Sequence, residues 1–146
     1  MAGSSGATMA VERTVYVVDD DPSIRKAFGR LGHIIRCGVE TFESAEAFLE
    51  RGEPSADCSV LVVDYRLPGM NGAQLYGRLR EMGDETPVLF ITAHDDANTR
   101  ATLEAIHAER VFRKPLDFEG LVRAIEDLLA DRERPREGRP DGGAGG

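Results

Sequence analysis

Three short apolar runs stand out along the chain: Val15–Val18 (VYVV), Val60–Val63 (VLVV) and Val88–Ile91 (VLFI). Each is rich in β-branched side chains and bounded by turn-forming residues, the pattern of a strand buried on both faces. Val39–Phe42 and Arg110–Arg113 predict two further short strands. Between them lie helical patterns. Asp21 and Pro22 read as the N-cap and first position of a helix running to about Ile34. Gly29 and Gly32 weaken that helix by up to ~1 kcal/mol each. Ser44 caps a second helix, with Ala45, Phe48 and Leu49 on its apolar face and Gly52 to Pro54 ending it. A third is expected over Ala73–Met82, closed by Gly83, and a fourth over about Asp96–His107, where Asn98, Thr99 and Thr102 lower the propensity. Asp117 caps a last helix carrying the stripe Leu121, Ile125, Leu128 and Leu129. Five strands alternating with five helices predict an α/β fold with a parallel sheet.

At 146 residues the chain fits one domain with an adequate core. The expected division is a disordered leader over 1–12, a folded domain over 13–130 and a disordered tail or linker over 131–146, where charges of both signs, Pro and Gly leave no apolar face. A net charge of −8 argues against bulk affinity for nucleic acid or anionic membrane, but favours a cation site. Cys37 and Cys58 lack metal-ligand or redox-motif spacing, so reduced, packed thiols in a soluble cytoplasmic protein are expected. No run reaches transmembrane length, and residues 1–10 lack the apolar stretch of a signal peptide.

In parallel α/β sheets, ligands bind outside the carboxyl ends of the strands, where strand order reverses. Asp19 and Asp20 follow the first strand, Asp64 and Thr92 end the third and fourth, and Lys114 follows the fifth. Asp21 has a capping role, whereas Asp19 and Asp20 have no evident structural one. Three clustered carboxylates repel one another, about 4 kcal/mol for a pair ~4 Å apart at an effective dielectric of 20. Such a cluster persists when something binds there, and oxygen ligands favour a hard cation such as Mg2+. Lys114 offers a positive point charge and Thr92 a hydroxyl donor, both suited to phosphoryl oxygens.

The segments VVDDDPSIR, VVDYRLPGMNG, VLFITAH and FRKPLDFEGL resemble, in order and spacing, the receiver domains of two-component response regulators. The likeness runs from about Thr14 to Ala130, and SAEAFLE and ITAHDD are similar to receivers that precede helix-turn-helix output domains of the NarL/FixJ type. The resemblance implies a flavodoxin-like (βα)5 three-layer sandwich with strand order 2-1-3-4-5. It implies that Asp64 accepts a phosphoryl group from a histidine kinase or phosphotransfer protein. Asp19, Asp20, Asp64 and the backbone carbonyl of Arg66 would hold Mg2+. Thr92, the backbone N–H of Ala93 and Lys114 would bind the phosphoryl group, and the Lys114–Pro115 bond would be cis. Arg66 and His94 fall at positions that tune dephosphorylation. The expected output is partner binding, or dimerisation through the fourth and fifth helices, with no membrane or nucleic-acid contact by this chain itself. On this reading the chain is a signalling receiver that catalyses only its own phosphorylation and dephosphorylation.

The match departs from the family at the switch. The aromatic usually found three residues before the strand-end Lys is replaced by Val111, and alternation sets neighbouring Phe112 on the opposite side. The stretch Ala105–Val111 is about two residues short, and Arg36 stands where a turn glycine is common. A phosphatase using Asp64 as nucleophile is the alternative enzyme reading, but its general acid would occupy the position of Arg66. A receiver-like scaffold that never uses the pocket is the other alternative.

Overall fold

The strands are Thr14–Val18 (β1), Gly38–Phe42 (β2), Ser59–Asp64 (β3), Val88–Thr92 (β4) and Val111–Arg113 (β5). The helices are Pro22–Ile35 (α1), Ala45–Glu50 (α2), Gly72–Glu81 (α3), Ala97–Ala105 (α4) and Phe118–Arg132 (α5). This computed structural model describes residues 12–133 apart from 54, 94, 95, 107 and 109. The expected leader other than Glu12, and the tail from residue 134 onward, therefore lie outside the described residues. All strand pairs are parallel and the order is β2-β1-β3-β4-β5, so the reversal falls between β1 and β3. This is the flavodoxin-like arrangement.

β3 is buried along its whole length, as its unbroken apolar run requires. Alternate side chains feed two cores. Val60, Val62, Leu89 and Ile91 face α1 and α5, meeting Phe28, Leu31, Leu121 and Ile125. Leu61, Val63 and Phe90 face α2, α3 and α4, meeting Phe48, Leu75, Leu79 and Leu103. The sheet is thus sandwiched between helical layers, and its carboxyl edge is left to the loops.

Two glycines in α1 have different status. A Cβ on Gly32 would lie 2.5 Å from Val39 Cγ2 and 3.0 Å from the Cys37 carbonyl oxygen, so this glycine lets α1 approach β2. A Cβ on Gly29 would meet nothing within 4 Å. Gly29→Ala is therefore expected to raise stability by about 0.5–1 kcal/mol, read as a shift in the urea midpoint at unchanged m-value. Gly32→Ala is expected to do the reverse. Arg36 takes the left-handed conformation at the end of α1, with φ 57° and ψ 54°, where a glycine would fit without penalty.

Several boundaries differ from the sequence expectation. α4 ends at Ala105 rather than near His107, which is outside the described residues, and β5 begins at Val111. Among the described residues β5 pairs with Phe90–Thr92 over its three residues. α5 runs to Arg132, two residues into the stretch assigned to the tail, because a helix propagates beyond its last buried residue, here Leu129, at little cost. Cys37 and Cys58 are both free, the first half-buried and the second buried. Among the described residues no helix is long and apolar enough to cross a membrane.

Candidate functional site

The site is built where β1, β3, β4 and β5 end. Asp19 follows β1 and is fully buried, while Asp20 beside it is exposed. Asp19 has a structural role after all: its Oδ1 accepts the Asp21 N–H at 2.9 Å, and its carbonyl accepts from Arg25 Nη1 at 2.7 Å. Asp21 in turn caps α1 through the Ser23 N–H at 2.9 Å. The loop is thus held from both sides, with Arg25 a brace that its place in the helix pattern did not reveal.

Asp64, the last residue of β3, is buried. Its Oδ1 accepts the Arg66 N–H at 3.0 Å, and its Oδ2 accepts from Lys114 Nζ at 2.9 Å. The loop beyond it closes where the Gly72 N–H donates to the Tyr65 carbonyl at 2.9 Å. Asn71 and Gln74 then form a reciprocal capping box that starts α3, a signal present in the sequence as Asn71 followed three residues later by Gln. Thr92 is buried at the end of β4, and its carbonyl accepts the Lys114 N–H at 2.9 Å. The Lys114–Pro115 bond is cis.

Lys114 Nζ also lies 3.1 Å from Asp19 Oδ2. One ammonium therefore faces two buried carboxylates. Burial alone would lower the Lys114 ammonium, but hydrogen bonds to Asp64 and Asp19 and their charges outweigh it and hold the group above its ordinary value. Burial pushes the Asp19 carboxyl above the usual carboxylate range; the Asp21 N–H opposes that shift, the Asp64 charge adds to it, and Lys114 opposes it.

Oxygens of Asp19, Asp20 and Asp64 all lie within 4.8 Å of one another. Asp19 Oδ2 is buried and meets the Lys114 ammonium as an ion pair at 3.1 Å. A set of hard oxygen donors from three carboxylates, two of them buried and sharing a single ammonium, fits a divalent cation. Arg66 lies exposed in the loop just after Asp64, and its guanidinium reaches Asp96. Ala93 follows Thr92 at the exposed rim, whereas His94 lies outside the described residues.

The family model of the response regulator receiver domain matches residues 15–126. The chain belongs to the response regulator receiver family. It is 33% identical over 126 residues to the response regulator protein TodT of Pseudomonas putida, covering 86% of this chain and 55% of TodT. To the transcriptional regulatory protein FixJ of Bradyrhizobium diazoefficiens it is 29% identical over 125 residues, covering 86% of this chain and 60% of FixJ. Among solved structures, the response regulator StyR is similar with a TM-score of 0.76 and 37% identity, covering 88% of this chain and 64% of StyR. The chain spans little more than half the length of the curated relatives it matches. Receivers of this family are signalling modules of two-component systems rather than classical enzymes.

The two β5 positions considered for a switch, Val111 and Phe112, fall on opposite faces of the sheet. Val111 pairs with Phe90 and so shares the face of Thr92, where it is 39% exposed. Phe112 pairs with Ile91 and packs into the core under α1 and α5. The continuous register keeps Phe112 off Thr92's face.

Proposed function

We propose that this receiver accepts a phosphoryl group on Asp64 from the phosphohistidine of a histidine kinase or phosphotransfer protein, with Mg2+ as cofactor. Its phosphorylation state then switches partner binding or dimerisation through α4 and α5. The observation that carries the reading is one buried carboxylate, Asp64, held 2.9 Å from Lys114 Nζ within a carboxylate cluster of this family. Asp19, Asp20, Asp64 and the Arg66 carbonyl would hold the cation. When bound it supplies positive charge to the phosphoryl oxygens and the attacking carboxylate.

The chain's own residues do the rest. The Arg66 N–H and Lys114 fix the Asp64 carboxylate, which orients it for in-line attack. Lys114 would move from Asp64 to a phosphoryl oxygen, and the Thr92 hydroxyl, at the end of β4, would donate to another. Phosphoryl transfer depends on such placement and charge stabilisation more than on covalent help from the protein. The product adds roughly −1.5 to −2 charges at the strand end. A charge of that size biases a two-state surface equilibrium. A phosphatase is disfavoured, because Arg66 occupies the general-acid position and is engaged with Asp96. We place the protein in the cytoplasm, consistent with the absence of a membrane-spanning helix among the described residues.

The test is intact mass after incubation with acetyl phosphate, with Mg2+ or with a chelator, beside Asp64→Asn. A single phosphoryl adduct that needs both Mg2+ and Asp64 is expected. Folded wild-type protein that stays unmodified would overturn the reading in favour of a scaffold, and rapid turnover of small phosphomonoesters would overturn it in favour of a hydrolase.

A further inference from the structure

Asp96 does two things at once. Its Oδ1 accepts the Thr99 N–H at 2.8 Å, capping α4, and its Oδ2 lies 3.0 Å from Arg66 Nη2. Arg66 is itself tied to Asp64, because its backbone N–H donates to Asp64 Oδ1. A single residue therefore joins the buried carboxylate at the end of β3 to the first turn of α4, across 30 positions of sequence. The pair is half exposed, with both side chains at 49% accessibility, so it is solvated and screened by salt. A contact that weak can be exchanged for a stronger one. A dianionic phosphoryl group is the better partner for a guanidinium, since charge-assisted bidentate bonds to phosphoryl oxygens are the geometry that arginine favours.

We propose that Asp96 is a positioning residue that acts through Arg66. In the resting receiver its carboxylate holds the guanidinium over the rim of α4. Phosphorylation of Asp64 draws the guanidinium onto the phosphoryl oxygens and releases Asp96, altering the first turn of α4. This rests on the proposed phosphorylation of Asp64 and adds to it a route from the phosphoryl group to α4 that does not need an aromatic at Val111. Asp96 thereby competes with the phosphoryl group for Arg66.

Asp96→Asn separates the two roles, because asparagine caps a helix as well as aspartate but carries no charge for Arg66. The probe is beryllofluoride with Mg2+, a phosphoryl analogue, titrated into wild type, Asp96→Asn, Arg66→Ala and the double variant. Asp96→Asn is expected to tighten binding about threefold to tenfold, by removing a competing state of Arg66. In the Arg66→Ala background the same substitution is expected to change binding less than about twofold, the non-additivity of two residues acting as a unit. The Thr99 amide resonance is expected to shift on binding in wild type and to stay put in Arg66→Ala. An equal effect of Asp96→Asn in both backgrounds would overturn the inference, since Asp96 would then act through general charge or through α4 alone. If folded wild type binds no beryllofluoride, the phosphorylation reading falls and this inference with it. Binding with additive effects overturns only the Arg66 route.

Discussion

Replacing Lys114 with alanine is expected to destabilise the folded receiver by about 3 kcal/mol at neutral pH without divalent cations. The ammonium lies 2.9 Å from Asp64 and 3.1 Å from Asp19, whose side chains are 7% and 0% exposed. Without it, two buried carboxylates face each other with no counter-charge. The lysine side chain is itself 20% exposed, which places the effect at the lower end for a broken buried pair. The loss has a pH signature. Burial already holds the Asp19 carboxyl above its ordinary value, and removing Lys114 raises it further. Between the unfolded and folded pKa values the folded state then binds a proton that the unfolded state does not, so stability increases as pH falls through that window. The deficit of the variant is therefore expected to be largest near neutrality and to shrink on acidification. Mg2+ is expected to recover part of it by supplying the missing charge. Urea denaturation across pH 4.5–8, with and without Mg2+, reads all three. Lys114→Met keeps the apolar stem and should show the same deficit. A deficit independent of pH and of Mg2+ would mean that Lys114 matters for packing rather than charge.

The parts of this receiver that were legible in its sequence are those with local signals. VYVV, VLVV and VLFI could be read as buried strands because both faces of the central strands are covered, which forces an unbroken apolar run. Asp19, Asp64, Thr92 and Lys114 could be read as one site because parallel sheets gather their strand ends at one edge. Strand order was not local information: it came through family resemblance, since nothing in β2 alone says that it lies outside β1. The second role of Asp19, in the turn before α1, was missed because its partner is a main-chain N–H two residues on, which any residue would present. Gly32 looked like a defect in α1, yet it is the point where the helix touches Val39, a contact visible only once β2 is in place. The Arg66–Asp96 pair had no sequence signal at all. Its members lie on different loops, and charged residues on loops are common.

Gly72→Ala is expected to damage the site from behind. A Cβ on Gly72 would sit 2.8 Å from the Asp64 carbonyl oxygen and 3.0 Å from Tyr65 Cα. Both are backbone atoms, so neither can rotate away, and either α3 or the end of β3 must move. Overpacking of this kind costs about 1–3 kcal/mol. The Gly72 N–H also donates to the Tyr65 carbonyl at 2.9 Å, so shifting α3 strains the loop closure that fixes Asp64 and Arg66. In-line transfer is sensitive to placement, and a displacement near 1 Å can reduce a rate by about a hundredfold. Stability is expected to fall by about 2 kcal/mol, and phosphorylation by acetyl phosphate to slow by at least about tenfold. Gly77→Ala supplies the control within the same helix, where an added Cβ would meet nothing within 4 Å. That variant should gain up to about 1 kcal/mol from helix propensity and be phosphorylated at the wild-type rate. Slowing in Gly72→Ala but not in Gly77→Ala would show that the close approach of α3 sets the position of Asp64. Equal rates in the two variants would place that control in the Lys114 and Arg66 hydrogen bonds instead.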